Sequence, residues 1–140
     1  MQTILTTAHK VAGLIPHAQY AVTIECIKAF ENPLNRLEKQ LDKCPKLGET
    51  DNLEEHPAIF HYFYGGTDIY ICEYDGNDDM FGYTILNNDL DNSEWGYTSL
   101  SEIICISPMN IDYFFEEQSI EAALYRKHPE HFIKPASLQE

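Results

Sequence analysis

Residues 59–74 read IFHYFYGGTDIYICEY, and this stretch decides the fold. Aromatic and β-branched side chains dominate residues 59–64 and residues 68–74, as is typical of β-strands. The pair Gly65-Gly66 between them predicts a tight hairpin turn, because glycine tolerates a positive φ angle. The sequence therefore predicts two paired strands at the centre of the sheet.

Three further strands follow from the same pattern. Residues 80–86 form the third, after the turn signal Asp75-Gly76. Residues 94–98 form the fourth, and residues 110–115 form the fifth. Because short turns join most of these strands, we expect a meandering antiparallel sheet.

An aromatic-Gly-aromatic pattern occurs twice, as Phe81-Gly82-Tyr83 and Trp95-Gly96-Tyr97. Glycine in a strand leaves room for large rings to cover the backbone, or for another backbone to approach closely. Packing of the rings is the interpretation that we favour. The two motifs are expected on neighbouring strands.

The N-terminal third of the chain has helical periodicity. Thr6 or Thr7 is expected to cap a short first helix, and residues 18–30 form a second helix with one broad apolar face. Asn32 is expected to cap a third helix with Pro33 at its first position, where the missing N–H costs nothing.

Two helices are predicted after the fourth strand. Ser99 and Glu102 have the spacing of a capping box, which opens a short helix. Ser119 is expected to cap a helix that runs to Lys127, and Pro129 prevents its continuation.

These elements predict an α+β fold in which a meandering antiparallel sheet of about five strands has helices packed on one face. A length of 140 residues predicts one domain. It comprises a helical N-terminal part (residues 1–46), a sheet-containing core (residues 57–127) and a weakly ordered tail (residues 128–140).

The charge of the chain is concentrated in residues 47–125, which hold 17 carboxylates and no Lys or Arg. The net charge of −14 comes from this stretch, since residues 1–46 and 126–140 are slightly positive. Such a field repels nucleic acid and anionic membranes and favours cationic partners. Solubility alone is the alternative explanation for this charge.

The acidic residues of the predicted sheet concentrate at turns and strand ends, which predicts an acidic rim on a rigid scaffold. The candidate binding residues of this rim are Asp75, Asp78, Asp79, Asp89, Asp91, Glu94, Glu116 and Glu117.

Sequence motifs that would indicate metal binding or catalysis are incomplete or absent. Residues 75–79 place oxygen ligands as a calcium loop does, but Met80 and Leu86 stand where such a loop needs Gly and Glu. No nucleophile elbow, Walker A loop or dinucleotide fingerprint occurs. We therefore expect no catalytic residue, no metal and no cofactor.

Four widely spaced cysteines are expected to be reduced thiols, because no disulfide framework is recognisable: Cys26, Cys44, Cys72 and Cys105. Residues 1–18 lack the basic start and the apolar run of a signal peptide. The expected location is the cytoplasm.

Four short motifs lie between Tyr70 and Phe115: Glu73-Tyr74-Asp75-Gly76, Phe81-Gly82, Gly96-Tyr97-Thr98-Ser99-Leu100-Ser101-Glu102 and Asp112-Tyr113-Phe114-Phe115. As a set they resemble domain-of-unknown-function family 2958, whose members occur on bacterial mobile elements and phages. The N-terminus resembles that family weakly, at Ile4-Leu5-Thr6 and Leu14-Ile15-Pro16. Residues 17–53 depart from the family as a helical insert. The resemblance implies a mobile-element origin and transfers no catalytic residue.

Charge and resemblance together favour a non-enzymatic acidic binding protein. It would block a basic nucleic-acid-binding protein, such as a nuclease or a restriction or CRISPR component, by mimicking nucleic-acid charge. One alternative is a small metal-dependent enzyme that uses clustered carboxylates such as Glu73, Asp75 and Glu94. Another is a structural, homo-oligomeric module that docks through its N-terminal helices.

Overall fold

The computed structural model of the chain describes residues 2–139. Within this range the α-helices are α1 (Gln2–Val11), α2 (His17–Glu25), α3 (Glu31–Lys43), α4 (Leu100–Cys105) and α5 (Ile120–Lys127). Short 3₁₀ helices occupy Ala12–Leu14, Ile27–Phe30 and Ala136–Leu138. The strands are β1 (Phe60–Tyr64), β2 (Thr67–Tyr74), β3 (Asp79–Ile85), β4 (Glu94–Ser99) and β5 (Asn110–Ile111).

The five strands form one antiparallel sheet in the order β4-β3-β2-β1-β5. The α+β class and the antiparallel sheet are therefore confirmed. Strands β1 to β4 form the predicted meander, whereas β5 returns to the far edge and pairs with β1. The hairpin between β1 and β2 turns at Gly65, whose φ is +50°, as a tight two-residue turn requires.

Strand β5 is shorter than the predicted strand over residues 110–115. It ends after Ile111 because Asp112 starts a turn, in which its Oδ1 accepts the Phe114 N–H at 3.0 Å. Such a side-chain turn competes with continued strand pairing.

One face of the sheet packs against the N-terminal helices, and we call it the first face. It presents apolar side chains such as Phe60, Tyr62 and Ile71 to a buried cluster that includes Leu34 of α3 and Val11 of α1. Each of these side chains is almost fully withdrawn from water, so this cluster supplies the main hydrophobic contribution to stability.

The opposite, second face is also covered, which differs from the prediction of helices on one face only. Ile120 and Leu124 of α5 form a second buried cluster with Tyr70, Cys72 and other side chains. Seven of the eight residues of β2 are buried. Successive side chains of a strand point to opposite faces of the sheet. Because the side chains on both faces of β2 are buried, the sheet is the middle of three layers.

The N-terminal helices begin and end differently from the predictions. Helix α1 already includes Gln2, so Thr6 and Thr7 lie within it and do not cap it. Ile4, Ala8 and Val11 form its buried stripe. Their burial stabilises the helix although threonine has a low helix propensity.

The predicted helix over residues 18–30 is divided in two. Helix α2 ends before Cys26, whose φ of −115° and ψ of +38° break the helix, and a 3₁₀ helix follows. Helix α3 starts at Glu31 without a side-chain cap, so Asn32 is inside it. Pro33 still lies in the first turn, where N–H groups have no intrahelical acceptor.

The helical part is fixed to the sheet by hydrogen bonds to backbone groups. The Gln19 side chain accepts the Ile111 N–H at 2.7 Å and donates to the Ile111 carbonyl at 2.9 Å. The Tyr62 hydroxyl donates to the Leu14 carbonyl at 2.7 Å. Helix α2 therefore covers the outer edge of β5 as a further strand would.

The predicted tail makes specific contacts with the rest of the chain. Phe132 packs on the second face against Tyr83. Ser137 donates its backbone N–H and its hydroxyl to Glu55 at 2.9 and 2.6 Å.

No helix among residues 2–139 combines the length and the apolar character that crossing a membrane requires.

Candidate functional site

Strand β4 forms an edge of the sheet, and acidic residues lie at both of its ends. The register places Asp79 opposite Ser99 and Thr84 opposite Glu94. These two ends are about 17 Å apart at the usual rise of a strand. The first acidic group lies at the Ser99 end and comprises Asp75, Asp78 and Asp79; the second lies at the Glu94 end and comprises Asp89, Asp91 and Glu94. We call β4 with its two acidic groups the β4 edge.

In the first acidic group, two carboxylates also shape the backbone. Asp75 Oδ1 accepts the backbone N–H groups of residues 77, 78 and 79 at 2.8 to 3.1 Å. Asp78 Oδ1 accepts the Ser101 N–H at 2.7 Å and its Oδ2 accepts the Ser99 hydroxyl at 2.8 Å. These hydrogen bonds lower the pKa of Asp78, and the bond from the Ser101 N–H has the largest effect. Asp78 therefore stays ionised.

The second acidic group lies in the loop between β3 and β4. Asp89 accepts the Asn92 side-chain amide at 2.7 Å, and Asp91 and Glu94 are exposed. Asn87 and Asn88 have positive φ angles of 51° and 61°. Asparagine tolerates this conformation better than most residues, which accounts for the two asparagines at the start of the loop.

Glu116 and Glu117 do not join the other predicted residues. They follow β5, at the opposite edge of the sheet. Glu117 lies 3.3 Å from the Lys43 ammonium group at the end of α3. The structure therefore brings six of the eight predicted residues to one edge, in two groups.

The two edges of the sheet differ in how they are covered. At β5 the Gln19 side chain occupies the outer N–H and C=O groups of Ile111. Strand β4 has a neighbouring strand on one side only, and Tyr97 on it is 71% exposed. An uncovered edge strand offers backbone groups for pairing with another chain.

Beside β4 the second face opens into a cleft of about 560 Å³. Its walls include Tyr83, Trp95 and Phe132. The Trp95 and Phe132 rings stand nearly perpendicular to the Tyr83 ring, at 81° and 80°, with centroids 5.3 and 5.7 Å from it. We call these three rings the aromatic box.

Two carboxylates line the same cleft, Glu94 at the start of β4 and Glu121 in the first turn of α5. Glu121 Oε2 lies 2.7 Å from His56 Nδ1, and its Oε1 accepts the His56 backbone N–H at 2.8 Å. The His56 ring packs on Trp95 at 4.5 Å between centroids. His56 therefore fixes both an acidic and an aromatic wall of the cleft.

Other carboxylates of the acidic stretch are buried within the fold. Glu73 is 1% exposed and accepts the Gly48 N–H at 2.8 Å, the Thr50 N–H at 3.0 Å and the Thr50 hydroxyl. Burial opposes its ionisation, but these hydrogen bonds outweigh burial and lower the pKa of Glu73. Glu73 thus ties residues 48–50 to β2.

A second buried group surrounds His61 on the second face. His61 Nε2 lies 2.7 Å from Asp68 Oδ1, and its Nδ1 lies 3.4 Å from Asp112 Oδ2. Lys127 of α5 donates to Asp68 Oδ2 at 2.5 Å. The His61 ring stacks on Tyr70, with 4.5 Å between centroids and 6° between planes. These contacts join β1, β2, the turn after β5, and α5.

The carboxylates considered for acid–base chemistry do not converge. Glu73 is bound to Thr50, Asp75 is engaged in its own turn, and Glu94 lies at the opposite end of β4 from that turn. Among residues 2–139 no three His, Cys, Asp or Glu side chains are grouped so that they could hold a metal ion.

Comparisons of the chain with protein-family models, with curated proteins and with solved structures give no match. The resemblance to family 2958 therefore stays a prediction.

Sequence reasoning found the acidic groups but missed the cleft. The two aromatic-Gly-aromatic motifs were expected on neighbouring strands, which β3 and β4 are, and the register places Tyr83 opposite Trp95. Nothing in the sequence connects them to Glu121 or Phe132, which lie 26 or more residues further along the chain.

Proposed function

We propose that this chain is a non-enzymatic binding protein whose β4 edge binds a cationic surface of another protein. The observation that carries the proposal is the composition of residues 75–102, which include this edge and contain seven carboxylates and no Lys or Arg. A surface of one charge sign beside an uncovered strand favours a partner of the opposite sign.

The charge distribution of the chain favours long-range attraction of a cationic partner. All nine Lys and Arg residues of the chain lie in residues 1–46 and 126–140, and none lies on a strand of the sheet. Long-range attraction of this kind speeds association and weakens as salt is added. Binding is therefore expected to be fast and salt-sensitive.

The partner class that we propose is a nucleic-acid-binding protein, such as a nuclease or a restriction or CRISPR component. Channels that bind nucleic acid are lined by Lys and Arg, and the carboxylates of the β4 edge would occupy such a channel as phosphates do. A mobile element is the genetic origin that fits this role. The cytoplasm is the location that we propose, since all four cysteines are free thiols.

Self-association through β4 is disfavoured by the same charges. Antiparallel pairing of β4 with β4 of a second copy would place the Glu94 end of one copy beside the Ser99 end of the other. The first and second acidic groups would then repel each other. The β4 edge is accordingly suited to a different, basic chain.

A charge-neutralised variant tests the proposal. Asp79→Asn/Asp91→Asn/Glu94→Gln removes three charges from the β4 edge at exposed positions. The matched control Glu116→Gln/Glu117→Gln/Glu130→Gln removes three exposed charges elsewhere. Each immobilised protein is exposed to bacterial lysate at about 0.1 M and about 1 M salt, between which the screening length falls from about 10 Å to about 3 Å.

The expected result is a basic protein that the original chain and the control retain at low salt, that high salt releases, and that the edge variant does not retain. Equal loss in both variants, or no salt-sensitive partner, would overturn the proposal. The isolated partner is then incubated with DNA and increasing amounts of the chain. Failure to displace DNA would reject charge mimicry while leaving the binding intact.

A further inference from the structure

The cleft beside β4 has the size of a ligand site and an unusual combination of walls. Its volume of about 560 Å³ is within the roughly 300–1,000 Å³ typical of small-molecule sites. Three aromatic rings and two carboxylates line it, together with Leu124 and His131. Its walls therefore combine apolar surface with negative charge.

The aromatic box supplies the first recognition element. The rings of Trp95 and Phe132 stand at about right angles to Tyr83, so they present ring faces and edges in different directions. The face of an aromatic ring carries partial negative charge and attracts a cation within about 6 Å of the ring centroid. Tryptophan provides the strongest such attraction among the aromatic residues.

Several contacts hold the box in place before any ligand arrives. The Tyr83 hydroxyl lies 2.7 Å from Ser93 Oγ, which donates to the Leu90 carbonyl at 2.6 Å. Trp95 contacts the rings of His56, with centroids at 4.5 Å, and of Phe81, with centroids at 6.0 Å. A preorganised site loses less side-chain entropy when it binds.

The carboxylates supply the second recognition element. Glu94 is exposed, and the Glu121 side chain is 23% exposed, so both remain accessible from the cleft. No Lys or Arg lines the cleft among the described residues. A neutral apolar ligand would gain nothing from these charges, whereas a cation would gain from Glu94 above all, because both oxygens of Glu121 already contact His56.

We infer that this cleft binds an organic cation, that is, an alkylammonium or guanidinium group. The cation belongs either to a free small molecule or to a Lys or Arg side chain of a peptide. The site lies on the second face and shares Glu94 and Trp95 with the β4 edge. Its test uses small cations and short peptides and no protein partner, so its failure is distinguishable from a failure of the proposed function.

The single tryptophan of the chain makes the test direct, because Trp95 is itself a wall of the cleft. Its fluorescence is recorded during titration with choline, and with the neutral isostere in which carbon replaces the nitrogen of choline. An end-capped tripeptide with a central arginine forms a third arm, and the same tripeptide with a central leucine is its control. Calorimetry repeats each titration without relying on fluorescence.

We expect saturable binding of choline or the arginine tripeptide with a dissociation constant in about the millimolar range. Each neutral counterpart should bind at least about tenfold more weakly. Saturation by choline alone identifies a free cation as the ligand, and saturation by the tripeptide alone identifies a side chain.

Variants assign the binding to the cleft. Glu94→Gln and Phe132→Leu should each weaken binding about threefold to tenfold, because one removes a charge and the other removes a ring at similar apolar bulk. Glu102→Gln and Tyr97→Leu change a glutamate and an aromatic residue outside the cleft and should leave binding unchanged. Equal affinity for the charged and neutral probes, or no saturation up to about 100 mM in either method, would overturn the inference.

Discussion

His61 shows how a single residue of the acidic stretch can stabilise the fold through charge. Its imidazole bridges Asp68 and Asp112 at 2.7 and 3.4 Å. Burial by itself would lower the pKa of His61, but hydrogen bonds to Asp112 and Asp68 outweigh burial and raise it above its ordinary value of 6.5. The protonated form is therefore favoured in the folded state.

The partners of His61 shift in the opposite direction. Burial opposes ionisation of Asp68, but hydrogen bonds from His61 and Lys127 outweigh burial and lower the pKa of Asp68. The hydrogen bond from His61 is the main reason why the pKa of Asp112 is lowered. Their contribution to stability is present above their unfolded pKa of about 4 and is lost as the pH falls through the lower folded values.

The variant His61→Gln is expected to change how stability depends on pH. The contribution of protonated His61 is fully present below about pH 6.5 and is lost as the pH rises through its higher folded pKa. The variant should therefore be less stable by about 1–3 kcal/mol near pH 5.5, and the difference should shrink by about pH 8.5. Urea unfolding at both pH values measures it.

His17→Gln is the matched control, because His17 is exposed at the start of α2. It should leave the free energy of unfolding unchanged at both pH values. A stability loss of His61→Gln that is constant from low to high pH would show that the ring contributes through packing and not through its charge.

At the scale of elements, the two glycines of the repeated aromatic motif have different structural surroundings. A Cβ on Gly82 would lie 1.8 Å from the Tyr70 carbonyl oxygen, whereas a Cβ on Gly96 would meet nothing within 4 Å. Gly82 lies in β3 directly opposite Ile71 of β2, next to the irregular pairing at Glu73. Close approach of two backbones, and not ring packing, explains the glycine in β3.

Substitutions at these glycines should have very different effects. Gly82→Ala is expected to lower the free energy of unfolding by about 3 kcal/mol or more, because β2 and β3 would have to separate. Gly96→Ala should change it by no more than about 0.5 kcal/mol. Thermal or urea unfolding of both variants checks this, and similar losses at the two positions would contradict the explanation.

Helix caps show why some local signals succeed and others do not. At Ser119 the predicted cap is present, since its hydroxyl accepts the Ala122 N–H at 3.0 Å. At Ser99 the side chain makes no capping bond to α4. Asp78 caps this helix instead, from 23 residues earlier in the chain. A cap from a distant carboxylate depends on the β2–β3 turn lying next to α4, which no local pattern reveals.

For the whole molecule, the net charge of −14 is expected to reduce stability at low ionic strength. Like charges on a compact chain repel each other more than in the expanded unfolded chain. Raising the salt concentration from about 0.01 M to about 0.1 M shortens the screening length from about 30 Å to about 10 Å. The melting temperature should therefore rise over this range.

The edge variant Asp79→Asn/Asp91→Asn/Glu94→Gln serves as the comparison. With three fewer charges in the acidic groups, it should melt at a higher temperature than the original chain at low salt, and its melting temperature should rise less on salt addition. A melting temperature that falls as salt is added would show that favourable ion pairs, and not repulsion, dominate the electrostatics.

The sequence alone determined strands β1 to β4, the hairpin turn at Gly65 and the acidic character of residues 47–125, because these depend on local pattern and composition. It also placed carboxylates such as Asp75 and Glu94 at strand ends. Only the tertiary structure decided which carboxylates are buried. Strand pairing and helix docking bring Asp68 to Lys127 and Glu73 to Thr50.

The cleft beside β4 likewise belongs to the tertiary structure alone. Trp95 comes from an edge strand, Glu121 from α5 and Phe132 from the segment after it. Their meeting depends on α5 covering the second face of the sheet, which the sequence did not predict. Contacts between distant residues depend on which faces become buried together, and burial is a property of the whole fold.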